Sequence, residues 1–369
     1  MTAQTETNAV EQGIQKWLQE KLQKQNPAIR DVKVSGFKKP DVGASNETLL
    51  FDAVYTENGK EVTLPLVARL QPKGAGVFMS YDLDKQYKAV ELLAGTDVLV
   101  PELVGYEPNA ELLGTPFYIM KRLKGRAIIE NPPYYLDGWF AQLSPEDRGT
   151  IWRNGIKAAA RISRQDWKKL GFSYLLPPAG RTCLQQILEE HRIFLEWIEA
   201  KAGHTYPGFW AIYHWLLANQ PKGEEPIALI WGDCKPGNLL IEGTEITATI
   251  DWEMVRLGNP IHDLAWWITL DNSMSEGLQR LVGMEVPKLP GIPSQEELIA
   301  LWEKETGFSA KDFEYYELCC AFEFGVTMAS LGVNYMNQGL IPKEMEFDIN
   351  NTCTPLLDRL VAKYNIATK

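Results

Sequence analysis

The first third of the chain alternates apolar with polar residues or gathers them in short blocks; the rest follows a helical period. Val10, Ile14, Trp17, Leu18 and Leu22 fall on one side at helical spacing. They predict an amphipathic helix over residues 8–25, packed by its apolar side and ended by Asn26-Pro27. Strands are expected over 29–37, 49–55 and 62–70, the last two joined by a hairpin turn at 57–60. Residues 82–93 present Leu83, Tyr87, Val90 and Leu93 on one side and predict a helix. Residues 98–106 and 116–123 are read as further strands, with a hinge at Gly125. Beyond it the pattern is mainly helical. Ser144, Pro145 and two acids open a helix to about residue 166. Thr182 opens another, closed by Gly203, and 207–219 form a third. Ser294 with Glu297 makes a capping box for a helix to about residue 306. Residues 310–338 are helical, with Gly325 and Gly332 as places to divide, and 344–364 close the chain. This divides the chain into an N-terminal helix (1–27), a sheet-rich region (28–122) and a helical region (123–369).

One stretch interrupts the helical part. Residues 228–231 are a short apolar run, the pattern of a buried strand. A turn-rich loop carries Asp233 and Asn238; residues 239–241 and 246–250 then form a hairpin that delivers Asp251. Gly258-Asn259-Pro260 turns the chain into a helix from about Ile261 that carries Asp263. A loop Asp, an Asn five residues on and an Asp after a hairpin suit phosphoryl transfer. That chemistry is mostly positioning and electrostatics, because the moving group carries spread negative charge. A carboxylate must orient the attacking hydroxyl and take its proton, which fits Asp233. Oxygen ligands must hold Mg²⁺, a hard ion, against the nucleotide phosphates, which fits Asn238 and Asp251. Solvated turn Asp residues in a β-rich core would not require Asn238 and Asp251 at this spacing.

The residues Gly232-Asp233…Pro236-Gly237-Asn238, Ile250-Asp251-Trp252-Glu253 and Gly258-Asn259-Pro260…Asp263-Leu264-Ala265 resemble the aminoglycoside phosphotransferase-like kinases. That family takes in choline-kinase-like enzymes. The resemblance implies an α+β, bilobal protein-kinase-like fold with a small antiparallel-sheet N-lobe and a larger, mainly helical C-lobe. It implies ATP or GTP as donor, Mg²⁺, and a small hydroxyl-bearing acceptor. Gly43-x-Ser45-Asn46-x-Thr48 looks like the family's nucleotide loop, whose backbone N–H groups can lie over phosphates. Arg69 is the expected phosphate cation, with Lys73 as second candidate, and Met120 to Leu123 line the base site through backbone bonds. Asp263 would brace the catalytic loop. There are two departures. Trp231 stands where the family has His, bringing bulk and one N–H donor but no acceptor. Gln86 stands where a Glu would pair with the cation, and an amide can bond Arg69 without neutralising it. These favour an alternative, a nucleotide-binding regulatory protein of the same fold with little turnover. A metal-dependent hydrolase ranks last, since there is no His-rich or multi-carboxylate two-metal cluster.

A net charge of −11 argues against a nucleic-acid partner and permits a cationic acceptor. Five irregularly spaced Cys suggest neither a disulfide framework nor a zinc site. With no apolar run of membrane-span length and a polar first dozen residues, a cytoplasmic protein is expected. Trp139, Trp210, Trp215, Trp266, Trp267 and Trp302 are either walls of an acceptor pocket or, for most of them, core. An antibiotic, a choline-like amine, a sugar and a hydroxyacyl compound all remain open as acceptors.

Overall fold

The computed structural model describes residues 3–39, 47–72, 76–279, 283–284 and 286–367. The chain forms two compact units: Met1–Gly76 with Ser80–Ala94 and Val100–Lys124, and Val77–Met79 with Gly95–Leu99 and Gly125–Lys369.

The first unit is built on one sheet. Helix α1 (Ala3–Gln25) precedes β1 (Ile29–Lys38), β2 (Glu47–Glu57), β3 (Lys60–Leu70), helix α2 (Leu83–Leu93), β4 (Leu103–Glu107) and β5 (Phe117–Lys121). The strands are antiparallel in the order β1-β2-β3-β5-β4. Strand alternation decides what each side of the sheet meets. Phe51, Ala53, Leu66, Ala68, Leu70, Phe117 and Ile119 join Ile14, Trp17, Leu18 and Leu22 of α1 in one core. The period that predicts α1 is therefore the stripe it buries. The register Thr48↔Arg69, Arg69↔Tyr118 and Val67↔Met120 puts Thr48, Arg69, Tyr118 and Met120 on the other side. There Tyr87 of α2 stacks on Tyr106 and meets Tyr118 edge-on. Strand β4 is shorter than the expected 98–106. The Leu99 carbonyl accepts from the Thr249 N–H (2.7 Å) and hydroxyl (3.0 Å), so it is spent outside the sheet.

The second unit is mainly helical: α3 (Pro145–Ser163), the turn α4 (Trp167–Leu170), α5 (Cys183–Ala202), α6 (Pro207–Ala218), α7 (Ile261–Asn272), α8 (Gln295–Thr306), α9 (Phe313–Asn337) and α10 (Thr354–Lys363). Two ribbons lie among them, β6 (Ala228–Ile230) with β9 (Arg256–Gly258), and β7 (Leu239–Glu242) with β8 (Glu245–Thr249). Helix α3 stops before the expected residue 166 because the Asp166 side chain accepts from Lys169 N–H (3.1 Å) and starts α4. Helix α9 does not divide. A Cβ at Gly325 would lie 2.7 Å from Leu357 and 2.8 Å from Phe209, and one at Gly332 would lie 2.5 Å from the Asp348 backbone. Both glycines admit neighbours and neither breaks the helix. The closing helix covers less than 344–364, because Asn351 bonds the Phe347 carbonyl and the Cys353 N–H and holds a turn before α10. Among the described residues no helix is long and apolar enough to cross a membrane.

Candidate active site

Loop 231–238 follows β6, whose Ile230 pairs with Arg256 of β9. Gly232 turns the chain at φ +91°, where a Cβ would lie 2.2 Å from the Met254 carbonyl oxygen, so only glycine fits. The fully buried Asp263, in the first turn of α7, accepts from Trp231 N–H (2.8 Å) and Gly232 N–H (2.9 Å). Burial pushes its carboxyl up to about 6, against the lowering effect of those two bonds. The indole of Trp231 is buried, and its N–H reaches the carbonyls of Ile250 (3.1 Å) and Asp251 (3.2 Å). Its one donor thus ties the loop to the strand end that carries Asp251. Asp251 sits at φ +59°, a left-handed conformation uncommon for a residue with a Cβ and often found at functional positions.

Asp233 is the hub of the loop. Its Oδ1 accepts from the Trp266 indole N–H (3.1 Å) and its Oδ2 from Asn238 Nδ2 (2.7 Å). Asn238 Nδ2 also holds the Asp233 carbonyl (2.9 Å), while the Asn238 carbonyl accepts from Ile250 N–H (2.9 Å). The Asn238 amide nitrogen is therefore committed and Oδ1 is the atom left for a ligand. Lys235 Nζ lies 3.5 Å from Asp233 Oδ2 and 3.2 Å from Glu130 Oε2. Burial alone would lower this ammonium; Asp233, Glu130 and Asp251 outweigh it and raise it. Asp233, Asp251 and Lys235 thus share one local field. Gly237 permits the approach of Glu130, whose Oε1 would be 2.8 Å from a Cβ there.

In the first unit, Arg69 is half-buried and its Nη1 donates to Thr48 Oγ1 (3.3 Å). Met120 lies on the same side of the sheet, and Leu123, half-buried, just past β5. Gln86 is buried in α2, and its Oε1 has no hydrogen-bond partner among the described residues. Ser45, Asn46 and Lys73 lie outside the described residues. Trp266, Trp267 and Trp302 are buried, and Trp139, Trp210 and Trp215 are half-buried.

Sequence reasoning missed three groups. Lys235 stands inside the recognised loop and could have been marked from its charge beside Asp233. Trp266, read as pocket wall or core, holds the Asp233 carboxylate. Glu130 carries no local signal, being 105 positions from the lysine it meets.

Asn238 Oδ1 and the Asp251 carboxylate are both oxygen donors, the type Mg²⁺ takes. A second metal-ligand grouping, His262, Cys320 and Glu323, brings ligand atoms within 4.8 Å of one another. Arg256 already bonds Glu323 there, and its charge opposes a cation.

Asp263→Asn removes one of two carboxylate acceptors and turns an amide N–H toward a backbone N–H. It is expected to destabilise the protein by about 1–3 kcal/mol. The Asp263 carboxyl titrates higher folded than its ordinary 3.8. Its contribution to stability is therefore present below that value and lost as pH rises through about 6. The stability gap between wild type and variant, read by urea unfolding, should narrow as pH rises through this window. A constant gap would refute the assignment.

The model of the phosphotransferase enzyme family (APH) matches residues 38–285. Acyl-CoA dehydrogenase family member 11 of Rattus norvegicus is 25% identical over 331 residues, 86% of this chain and 41% of the relative. The Homo sapiens protein of that name is 25% identical over 292 residues, 75% of this chain and 34% of the relative. The chain thus spans about two fifths or less of these curated relatives. Among solved structures, a candidate aminoglycoside phosphotransferase from Ralstonia eutropha superposes with TM-score 0.66 at 19% identity, covering 95% of this chain and 98% of that one. A GDP complex of an aminoglycoside 2'-phosphotransferase superposes at 0.55 with 17% identity, covering 96% and 100%. These likenesses show the fold, an α+β kinase-like one.

Proposed function

The chain belongs to the APH phosphotransferase family, and on that premise we propose that it moves the terminal phosphoryl group of ATP or GTP to a hydroxyl of a small molecule. The observation that supports this best is the placement of Asp233. Both its oxygens are oriented by N–H donors, and Lys235 stands 3.5 Å away. In this reading Asp233 aligns the acceptor hydroxyl and takes its proton. The new O–P bond forms while the bond to the leaving nucleoside diphosphate breaks. Lys235 meets the negative charge of the group in transit. Asn238 Oδ1 and Asp251 hold Mg²⁺, which supplies charge neutralisation at the phosphate oxygens. Ser45, Asn46 and Thr48 contribute to the nucleotide loop, and Arg69 binds phosphate, with Thr48 Oγ1 accepting from its Nη1. Gln86 Oε1 accepts no bond among the described residues, so the bond to Arg69 expected of that amide is not made here. The backbone of Met120 to Leu123 receives the base. Asp263 and Trp231 hold the loop from behind.

A structural neighbour in ternary complex with AMP-PNP and hygromycin B (TM-score 0.51) and the GDP complex above make both nucleotides donors to test. The test is an acceptor screen with Mg²⁺-ATP and Mg²⁺-GTP, read as nucleoside diphosphate release. It includes aminoglycosides, choline-like amines and sugars. It also includes hydroxyacyl compounds, tried as CoA thioesters because the curated relatives are named for acyl-CoA. Arg69→Ala should keep the fold and weaken nucleotide binding about 10- to 100-fold, the range of a charge-assisted phosphate contact. Unchanged calorimetric affinity would remove Arg69 from the site.

The second reading, a nucleotide-binding regulatory protein, rests on Gln86, an amide buried at the position where the resemblance expects a counter-charge to Arg69. It predicts Mg²⁺-nucleotide binding with no product from any acceptor.

A further inference from the structure

Within the helical unit, α6, α9, α10 and the turn before α10 surround a cavity of about 390 Å³. Ring and aliphatic walls come from Phe209, Leu357 and Val361, and the charged lining is Asp348 and Asp358; among the described residues no Lys or Arg lines it. Asp348 is only 3% exposed. Its Oδ2 accepts from the Tyr206 hydroxyl (2.7 Å) and lies 3.1 Å from His204 Nε2. Its Oδ1 receives no hydrogen bond among the described residues. A largely buried carboxylate gains when a further donor reaches it, and water or a ligand in the cavity can supply one.

This cavity is not the Asp233 site. On α9, Glu323 bonds His262 of α7, and Phe324 meets Trp266, the residue that holds Asp233. Gly325, the next residue, lines the cavity. Successive helical residues are turned by about 100°, so α9 shows α7 one side and the cavity another.

We propose that the cavity is a second small-molecule site and that its ligand is a small organic amine. The ammonium would meet Asp348 Oδ1 in a charge-assisted bond, and the apolar body would lie against Phe209, Leu357 and Val361. The Tyr206 and Phe209 rings add a surface suited to a cation. The volume lies near the lower end of ligand pockets, roughly 300–1,000 Å³, which sets the ligand's size.

The probe is phenethylamine, with 2-phenylethanol as its neutral counterpart, titrated calorimetrically into the full chain. The amine should bind saturably and at least about tenfold more tightly than the alcohol. Asp348→Asn should erase that preference. Gly208→Leu is the second variant, chosen to fill the cavity, since Gly208 lines it and a Cβ there meets no atom within 4 Å. It should abolish amine binding while the thermal transition and Mg²⁺-nucleotide binding stay as in wild type. No saturable amine binding to wild type overturns the proposal, as does equal affinity for the alcohol or amine binding that survives Gly208→Leu. Loss of turnover on an identified acceptor in folded Gly208→Leu would assign the cavity to the acceptor and also overturn a separate site.

Discussion

Asp233→Asn is expected to leave Mg²⁺-nucleotide binding nearly unchanged and to cut turnover by roughly 10²–10⁴-fold, the range for loss of a general base. The substitution keeps size and removes both the charge and the proton acceptor. Asp251→Asn is expected to lower Mg²⁺-nucleotide affinity as well as turnover, because a hard cation loses a carboxylate. The backbone makes this second variant clean. Asp251 stands at φ +59°, and Asn tolerates the left-handed region as well as Asp does, so the loss reports charge and not strain. Calorimetric titration and single-turnover measurement on one acceptor separate the two. If both variants lose affinity equally, the division of labour between Asp233 and Asp251 is wrong. If Asp233→Asn matches wild type in turnover, Asp233 is not the base.

How much of this was legible depended on how local each signal is. Asp233, Asn238, Asp251 and Asp263 fall within 31 residues of chain, and the hairpin that joins the middle pair, β7 with β8, is written in its own alternation and turn. The layout of the loop and hairpin was therefore readable. The role of Lys235 was half-readable: its position is in the loop, but its environment depends on Glu130, brought in from a distant segment. Strand β9 was missed because Arg256-Leu257-Gly258 is three residues long and has no period. It exists because β6 offers it a partner. The glycines of α9 misled in the opposite sense: a local weakness in helix propensity was overridden by what packs against them. Likewise Leu99 reads as strand, but its carbonyl has a stronger competing partner in Thr249.

Glu323→Gln is expected to destabilise the protein by about 3–5 kcal/mol, the scale for breaking a buried ion pair on one side. Glu323 is fully buried in α9 and ties together three other elements. Arg256 of β9 donates to Oε2 (2.5 Å), His262 of α7 lies 2.8 Å from Oε1, and His191 of α5 lies 3.5 Å from Oε2. Burial alone would raise the Glu323 carboxyl; Arg256 and the two histidines outweigh it and hold it well below its ordinary value. Glutamine keeps the shape and can still accept from Arg256, but it leaves the guanidinium buried without a counter-charge. The pH dependence has a definite sign. A depressed carboxyl contributes stability above its ordinary 4.5 and loses it as pH falls through the folded value. Burial lowers His262 from its ordinary 6.5, so the unfolded chain takes up that proton first and acidification again favours unfolding. Wild type should therefore lose stability as pH falls below about 6.5, and the wild-type advantage over Glu323→Gln should shrink only as pH falls below 4.5. Because Arg256 pairs with Ile230, immediately before the loop of Asp233, the variant should also lose turnover before it unfolds. Urea unfolding at several pH values measures the first effect and turnover well below the melting temperature the second. A Glu323→Gln protein within about 1 kcal/mol of wild type at neutral pH would show that the buried pair is dispensable, as some are.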